Sequence, residues 1–205
     1  MVLDYAAALE RARNLATAGR RLLGVAGMPG SGKSHLADRL VADLGGLAVC
    51  VPLDGFHLPN QELERLGRRQ RKGAPDTFDA AGYSNLLRCL RRQEPQELIT
   101  APAFDRSREE SVANAIAVHS RVPLIITEGN YLLLPSHGFG GVRALLDEAW
   151  YMSCPAPERI RRLIARHQMS GKTPAEAREW ALGTDQANAA LIGSNLQRAD
   201  CTVRG

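Results

Sequence analysis

An α/β fold of three layers, with helices packed on a largely parallel central sheet, is the class this chain predicts. Short uninterrupted apolar runs alternate with amphipathic helical stretches along its length, and polar motifs fall where the runs end. With 205 residues and no break in composition, residues 1–205 are expected to form a single domain with a sizeable core.

Residues 4–18 place Tyr5, Leu9, Ala12, Leu15 and Ala16 at helical spacing, and Gly19 ends them. The run Leu22-Leu23-Gly24-Val25-Ala26 predicts a first strand at 21–26, followed by a glycine-rich turn and a helix to about Leu44, where Gly45-Gly46 stops it. Residues 47–51 are continuously apolar, as expected of a parallel strand buried on both faces. Residues 58–78 are polar and basic with Pro59, Gly67, Gly73 and Pro75, which predicts a loop with a short helix near 61–68. Asp79 suits the N-cap of a helix over 80–93 that carries Leu86, Leu87 and Leu90 on one face.

A short strand at 98–102, a charged loop at 104–110 and an edge strand at 112–119 follow, and then a buried strand at 122–127. A helix at 142–146 leads to a strand at 148–152. Pro157 opens a helix running through His167, and Pro174 opens another, expected to reach about Leu191. Residues 199–203 form a last strand.

The turn after the first strand reads Gly27-Met28-Pro29-Gly30-Ser31-Gly32-Lys33-Ser34, the pattern G-x-x-x-x-G-K-S between a strand and a helix that begins at His35. Glycines free the backbone to curl its N–H groups around phosphate oxygens, and the helix terminus adds positive potential. Lys33 offers a cation to the β- and γ-phosphates and Ser34 a hydroxyl to Mg²⁺, so residues 27–35 are expected to hold a nucleoside triphosphate.

Ligands of an open parallel sheet gather at the carboxyl ends of its strands. Asp54 ends the second apolar run and Glu128 the fourth, so two carboxylates are expected at the rim that carries the phosphate loop. Either could hold the metal or accept the proton of an attacking hydroxyl. Arg159, Arg162 and Arg166 recur at helical spacing and share one face, with Ile160, Leu163 and Ile164 on another. Followed by Gly171, they suit a lid around 157–175 that brings cations over the phosphates. His57, three residues beyond Asp54, is a candidate for contact with an acceptor.

The formal charge of +4 is modest. Basic clusters at 68–72 and 159–162 lack interleaved aromatics for stacking on bases, so a nucleic-acid partner is not expected. Cys50, Cys89, Cys154 and Cys201 form neither a C-x-x-C pair nor a Cys/His cluster. The first residues lack a basic region ahead of an apolar core, and no run is long enough to span a bilayer, so a cytoplasmic protein without membrane contact is expected. No Asn-Lys-x-Asp stretch is present to read guanine. A nucleotide-sensing ATPase acting through a protein partner is the alternative reading, and a homodimer is compatible with either.

Gly24–Ser34, Leu53-Asp54-Gly55-Phe56-His57, residues 71–79 and Ile126-Thr127-Glu128-Gly129-Asn130-Tyr131-Leu132-Leu133-Leu134 together resemble the P-loop kinases of the uridine kinase, phosphoribulokinase and bacterial pantothenate kinase family. The last of these stretches is most similar to the branch labelled fructose-transport-system kinases or nucleoside/nucleotide kinase-like proteins. The resemblance implies a three-layer P-loop NTPase fold with a helical lid, and ATP-dependent phosphoryl transfer to a hydroxyl of a sugar, nucleoside or pantothenate-like metabolite. It further implies Asp54 as base, Lys33 and Ser34 on ATP and Mg²⁺, Glu128 in the Walker B place, Arg162 and Arg166 in the lid, and Lys72 and Arg106 near the acceptor.

Overall fold

The computed structural model describes residues 1–204. Its strands are β1 (Val2–Leu3), β2 (Arg21–Gly27), β3 (Ala48–Cys50), β4 (Leu98–Asp105), β5 (Glu110–His119), β6 (Leu124–Gly129), β7 (Glu148–Ser153) and β8 (Cys201–Arg204). Its helices are α1 (Tyr5–Thr17), α2 (Lys33–Leu44), α3 (Asn60–Arg65), α4 (Ala80–Arg91), α5 (Val142–Leu145), α6 (Ala156–Met169), α7 (Pro174–Leu182) and α8 (Thr184–Gly193). Six strands form one sheet in the order β1-β8-β7-β2-β6-β3, and every pairing in it is parallel. β4 and β5 form a separate antiparallel hairpin.

Both faces of the sheet are buried, which is why its central strands read as unbroken apolar runs. Side chains alternate between the two layers. Leu23 and Val25 of β2, Ile126 of β6 and Trp150 of β7 pack with Ala8 and Ala12 of α1 and Leu36 and Leu40 of α2. Their neighbours Leu22, Ala26, Ile125 and Tyr151 pack on the other side with Tyr83, Leu87 and Leu90 of α4 and with Leu132 and Leu146. A buried hydrogen-bond chain ties the layers together: the Tyr83 and Thr127 hydroxyls lie 2.6 Å apart, and Thr127 Oγ1 donates to the Val51 carbonyl. Asp79 caps α4 as its sequence position predicts, accepting from the Gly82 N–H at 2.8 Å.

Several expectations need correction. β3 is an edge strand, pairing only with β6, and Val49 and Cys50 are half-buried; its apolar run reflects packing by Val51 and Leu53 just beyond it, both fully buried. The helix expected over 174–191 is two helices, because Gly183 at φ −94°, ψ −93° breaks the chain between α7 and α8. The loop expected at 104–110 is narrower, a turn at 106–109, since β4 continues to Asp105 and β5 begins at Glu110. β1 was not foreseen, as two residues carry no period. No helix among the described residues is long and apolar enough to cross a membrane.

Candidate active site

β2 is central, and β6 and β7 flank it, so the turn leaving its carboxyl end opens at the middle of the sheet. In that turn Gly30 (φ +78°) and Gly32 (φ +96°) occupy the left-handed region. A Cβ on Gly30 would lie 2.8 Å from both the Arg159 carbonyl and Leu163 Cγ, so the loop is seated against α6 with no room for a side chain. Gly32 is the N-cap of α2, whose first N–H groups have no partner within the helix. The Ser31 hydroxyl is buried and, among the described residues, has no hydrogen-bond partner. A curled loop, an orphaned buried hydroxyl and unpaired amides suit an anion such as a phosphate chain.

Lys33 and Ser34 open α2. Lys33 is buried, and burial chiefly holds its ammonium below the usual range, opposed by Glu128 and Asp54. Ser34 Oγ donates to Glu128 Oε1 at 3.0 Å. Glu128 sits near the end of β6, in register with Val25 of β2. Burial pushes its carboxyl up to about 7, with Lys33 pulling the other way. A hydroxyl and a carboxylate are hard oxygen donors. Mg²⁺, which takes few protein ligands and keeps several waters, fits this pair.

Asp54 lies in the turn Leu53–Phe56 after β3. A Cβ on Gly55 would come within 2.3 Å of the Pro102 carbonyl, so this turn is pressed onto the hairpin and its aspartate is fixed in place. Burial opposes ionisation of Asp54, but neighbouring positive groups outweigh it and hold the carboxyl below the usual range. Of these, His57 is itself kept below its ordinary value by burial and is neutral at pH 7, which leaves Lys33, Arg106 and Arg166 as the effective cations. His57 Nδ1 lies 2.8 Å from the Asp54 carbonyl, which can only accept; the proton is therefore on Nδ1 and Nε2 is free to accept. Arg106 reaches Asp54 Oδ2 at 3.8 Å.

Pro29, Lys33, Ser34, Asp54, His57, Lys72, Arg106 and Arg166 line one cavity of about 340 Å³. Glu128 joins it through Ser34. Arg162 lies beside the loop, bonded to the Ser31 carbonyl at 3.4 Å and Glu158 at 2.7 Å, outside the cavity wall. Gly27, Met28, Gly30, Ser31 and Gly32 shape the loop from behind, and His35 is exposed on α2. Arg159, expected on the same open face as Arg162 and Arg166, is instead 2 % exposed and bonded to the Pro29 carbonyl and Gln186. It braces the loop rather than facing the cavity.

Among the other wall residues, sequence reasoning missed Arg69, Asn130, His167, Lys172, Trp180 and Asp185. His167 Nε2 and Asp185 Oδ2 are 2.7 Å apart, and Lys172 lies over the Trp180 ring at 4.7 Å. These residues come from separate turns and helices with no common spacing, and the sequence carries no local signal that joins them.

No protein-family model matches the chain. Over 196 residues it is 32% identical to a Schizosaccharomyces pombe protein named "Putative uridine kinase C227.14", covering 90% of this chain and 83% of that one. A Leifsonia xyli pantothenate kinase is 29% identical over 153 residues, 72% of this chain and 46% of that enzyme. Among solved structures, one described as a "putative fructose transport system kinase" from Silicibacter superposes with a TM-score of 0.84 at 36% identity, covering 95% of this chain and 97% of that one. The parallel sheet, the glycine loop that opens α2 and these likenesses agree: the chain belongs to the P-loop kinases related to uridine and pantothenate kinases, and it is an ATP-dependent small-molecule kinase.

Proposed function

We propose that this kinase moves the γ-phosphoryl group of ATP to a hydroxyl of a small metabolite, with Asp54 as the base. The observation that carries the reading is that Asp54, Lys33 and Ser34 line one cavity although they come from two different strand ends. Phosphoryl transfer requires an acceptor hydroxyl in line with the γ-phosphorus and cations over the transferred group. Asp54 accepts the hydroxyl proton as the new O–P bond forms and the bond to the β-phosphate oxygen breaks. ADP and a phosphate monoester are the products. Held ionised by Lys33, Arg106 and Arg166, Asp54 is ready to accept at neutral pH.

Lys33 and Arg166 face the phosphates in this reading, with residues 27–35 holding the nucleotide and Arg162 fixing the loop through the Ser31 carbonyl. Ser34 and Glu128 would hold Mg²⁺, which supplies charge neutralisation on the phosphates when bound. His57, Lys72 and Arg106 face the acceptor. Residues 1–205 act as one domain, in which α6 and the turn at Gly171 (φ +91°) serve as the lid around 157–175.

The reading is tested by ADP release from Mg-ATP with a panel of sugars, nucleosides and pantothenate-like hydroxy acids. A compound that raises turnover in the wild type and not in Asp54→Asn identifies the acceptor. Metabolite-stimulated turnover that survives in Asp54→Asn would refute Asp54 as base.

A further inference from the structure

The basic run Arg68-Arg69-Gln70-Arg71-Lys72 divides in two. Arg68 and Arg71 turn to one carboxylate: Arg68 Nε lies 3.2 Å from Asp76 Oδ2, and Arg71 Nη1 donates to Asp76 Oδ1 at 2.6 Å. Arg69 and Lys72 turn the other way and line the cavity. Among the described residues Arg69 has no ion-pair partner, and the Lys72 ammonium donates only to neutral oxygens, those of the Asn60 side chain and the Glu109 carbonyl. Two cations without a direct ion-pair partner therefore share one wall, and Glu109, which also lines the cavity, and Glu110 offset only part of the charge on Lys72. Burial, and next the Arg69 charge, push the Lys72 ammonium below its usual range, which places the pair close enough to repel. Repulsion of this kind is relieved by an anion between the two groups.

This wall is at the acceptor end. The charges that act on Lys33 are those of Glu128, Asp54, Arg166 and Arg106, whereas Lys72 acts on His57, the neighbour of Asp54. Lys72 Nζ stands 5.0 Å from the Phe104 ring centre, the Phe104 and His57 ring centres are 4.8 Å apart with their planes tilted by 46°, and His57 is bonded to the Asp54 backbone carbonyl. A molecule lying along these rings would present one end to Lys72 and Arg69 and the other to Asp54.

We propose that the acceptor is an anion: a small hydroxyl compound bearing a carboxylate or phosphate group, held by Lys72 and Arg69 while its hydroxyl meets Asp54. This rests on the kinase reading above and adds the charge of the acceptor to it. Ammonium and guanidinium together suit either anion, the guanidinium through paired N–H donors.

The test is ADP release with matched series in which one polyol scaffold is offered as the neutral alcohol, the carboxylate and the phosphate ester. Turnover confined to an anionic member, with KM for it raised at least tenfold in Lys72→Met and Arg69→Ala, partly restored in Lys72→Arg, and KM for ATP moved less than twofold, is the expected result; the member that works separates carboxylate from phosphate. Equal turnover of the neutral alcohol, or an unchanged acceptor KM in Lys72→Met, overturns the anion site and leaves Asp54 as base intact. Should no member turn over, inorganic phosphate is titrated calorimetrically into protein saturated with a non-hydrolysable ATP analogue. Binding that is lost in the Lys72→Met, Arg69→Ala double variant supports the site, and absence of binding by the wild type overturns it.

Discussion

The two ends of the cavity are built by opposite means. The phosphate loop is made of backbone: two left-handed glycines, a helix start and a loop seated on α6 so closely that a Cβ at Gly30 would collide. The end proposed for the acceptor is made of side chains from the segment 54–78 and the hairpin β4–β5, carried on long arms such as Lys72 and Arg106. A backbone site recognises what every nucleoside triphosphate shares and is intolerant of added atoms. A side-chain site can be reshaped by substitution while the sheet beneath it stays the same, so selectivity resides there.

On that contrast, the largest loss follows from adding atoms to the loop. Gly30→Val puts a branched side chain at a left-handed position already 2.8 Å from the Arg159 carbonyl, and Mg-ATP affinity should fall at least 100-fold by titration calorimetry. Retained affinity would mean that the loop is not seated on α6 when nucleotide binds. A smaller and different loss is expected from Gly55→Ala, whose Cβ would meet the Pro102 carbonyl at 2.3 Å and displace the Asp54 turn from the hairpin. A shift of that size should lower kcat by roughly 10- to 100-fold. ATP affinity should stay within about twofold, because this turn supplies none of the backbone of the cradle at 27–34.

The carboxylates differ in the same sense. Glu128 is pushed up to about 7 by burial, so below that pH it carries a proton that competes with a cation. Mg-ATP affinity should therefore decline about tenfold from pH 8 to pH 6 as the carboxylate is lost. In Glu128→Gln binding should be weaker throughout and this part of the pH dependence absent, which separates it from titration of the nucleotide's own phosphates. Asp54, held below the usual range, contributes no loss in this window. The smallest effect belongs to the far wall: Asp185→Asn weakens the 2.7 Å contact with His167 between α6 and α8. It should cost about 1–2 kcal/mol, a few degrees in the melting midpoint by calorimetry, with little change in ATP affinity.

The same contrast explains what could be read from the chain. Strands buried on both faces and a loop defined by glycine spacing leave local patterns, so β2, β6, β7 and the cradle at 27–34 were legible, as were Asp54 and Glu128 at strand ends. β3 misled because its apolar run continues into Val51 and Leu53, which are buried beyond the strand. Arg159 shared its spacing with Arg162 and Arg166, yet helical period gives a face and not a depth, and close packing of α6 on the loop buried it. His167 and Asp185 meet only because the chain turns at Gly183. Nothing local encodes that meeting.

Single-turnover transfer by Asp54→Asn, with Mg-ATP in excess over enzyme-bound acceptor, asks whether the two ends form one catalytic site. Transfer should fall by roughly 10²- to 10⁴-fold while the Kd for Mg-ATP changes less than about threefold. Transfer at the wild-type rate, or a parallel loss of ATP binding, would contradict a division of labour between the glycine cradle and Asp54.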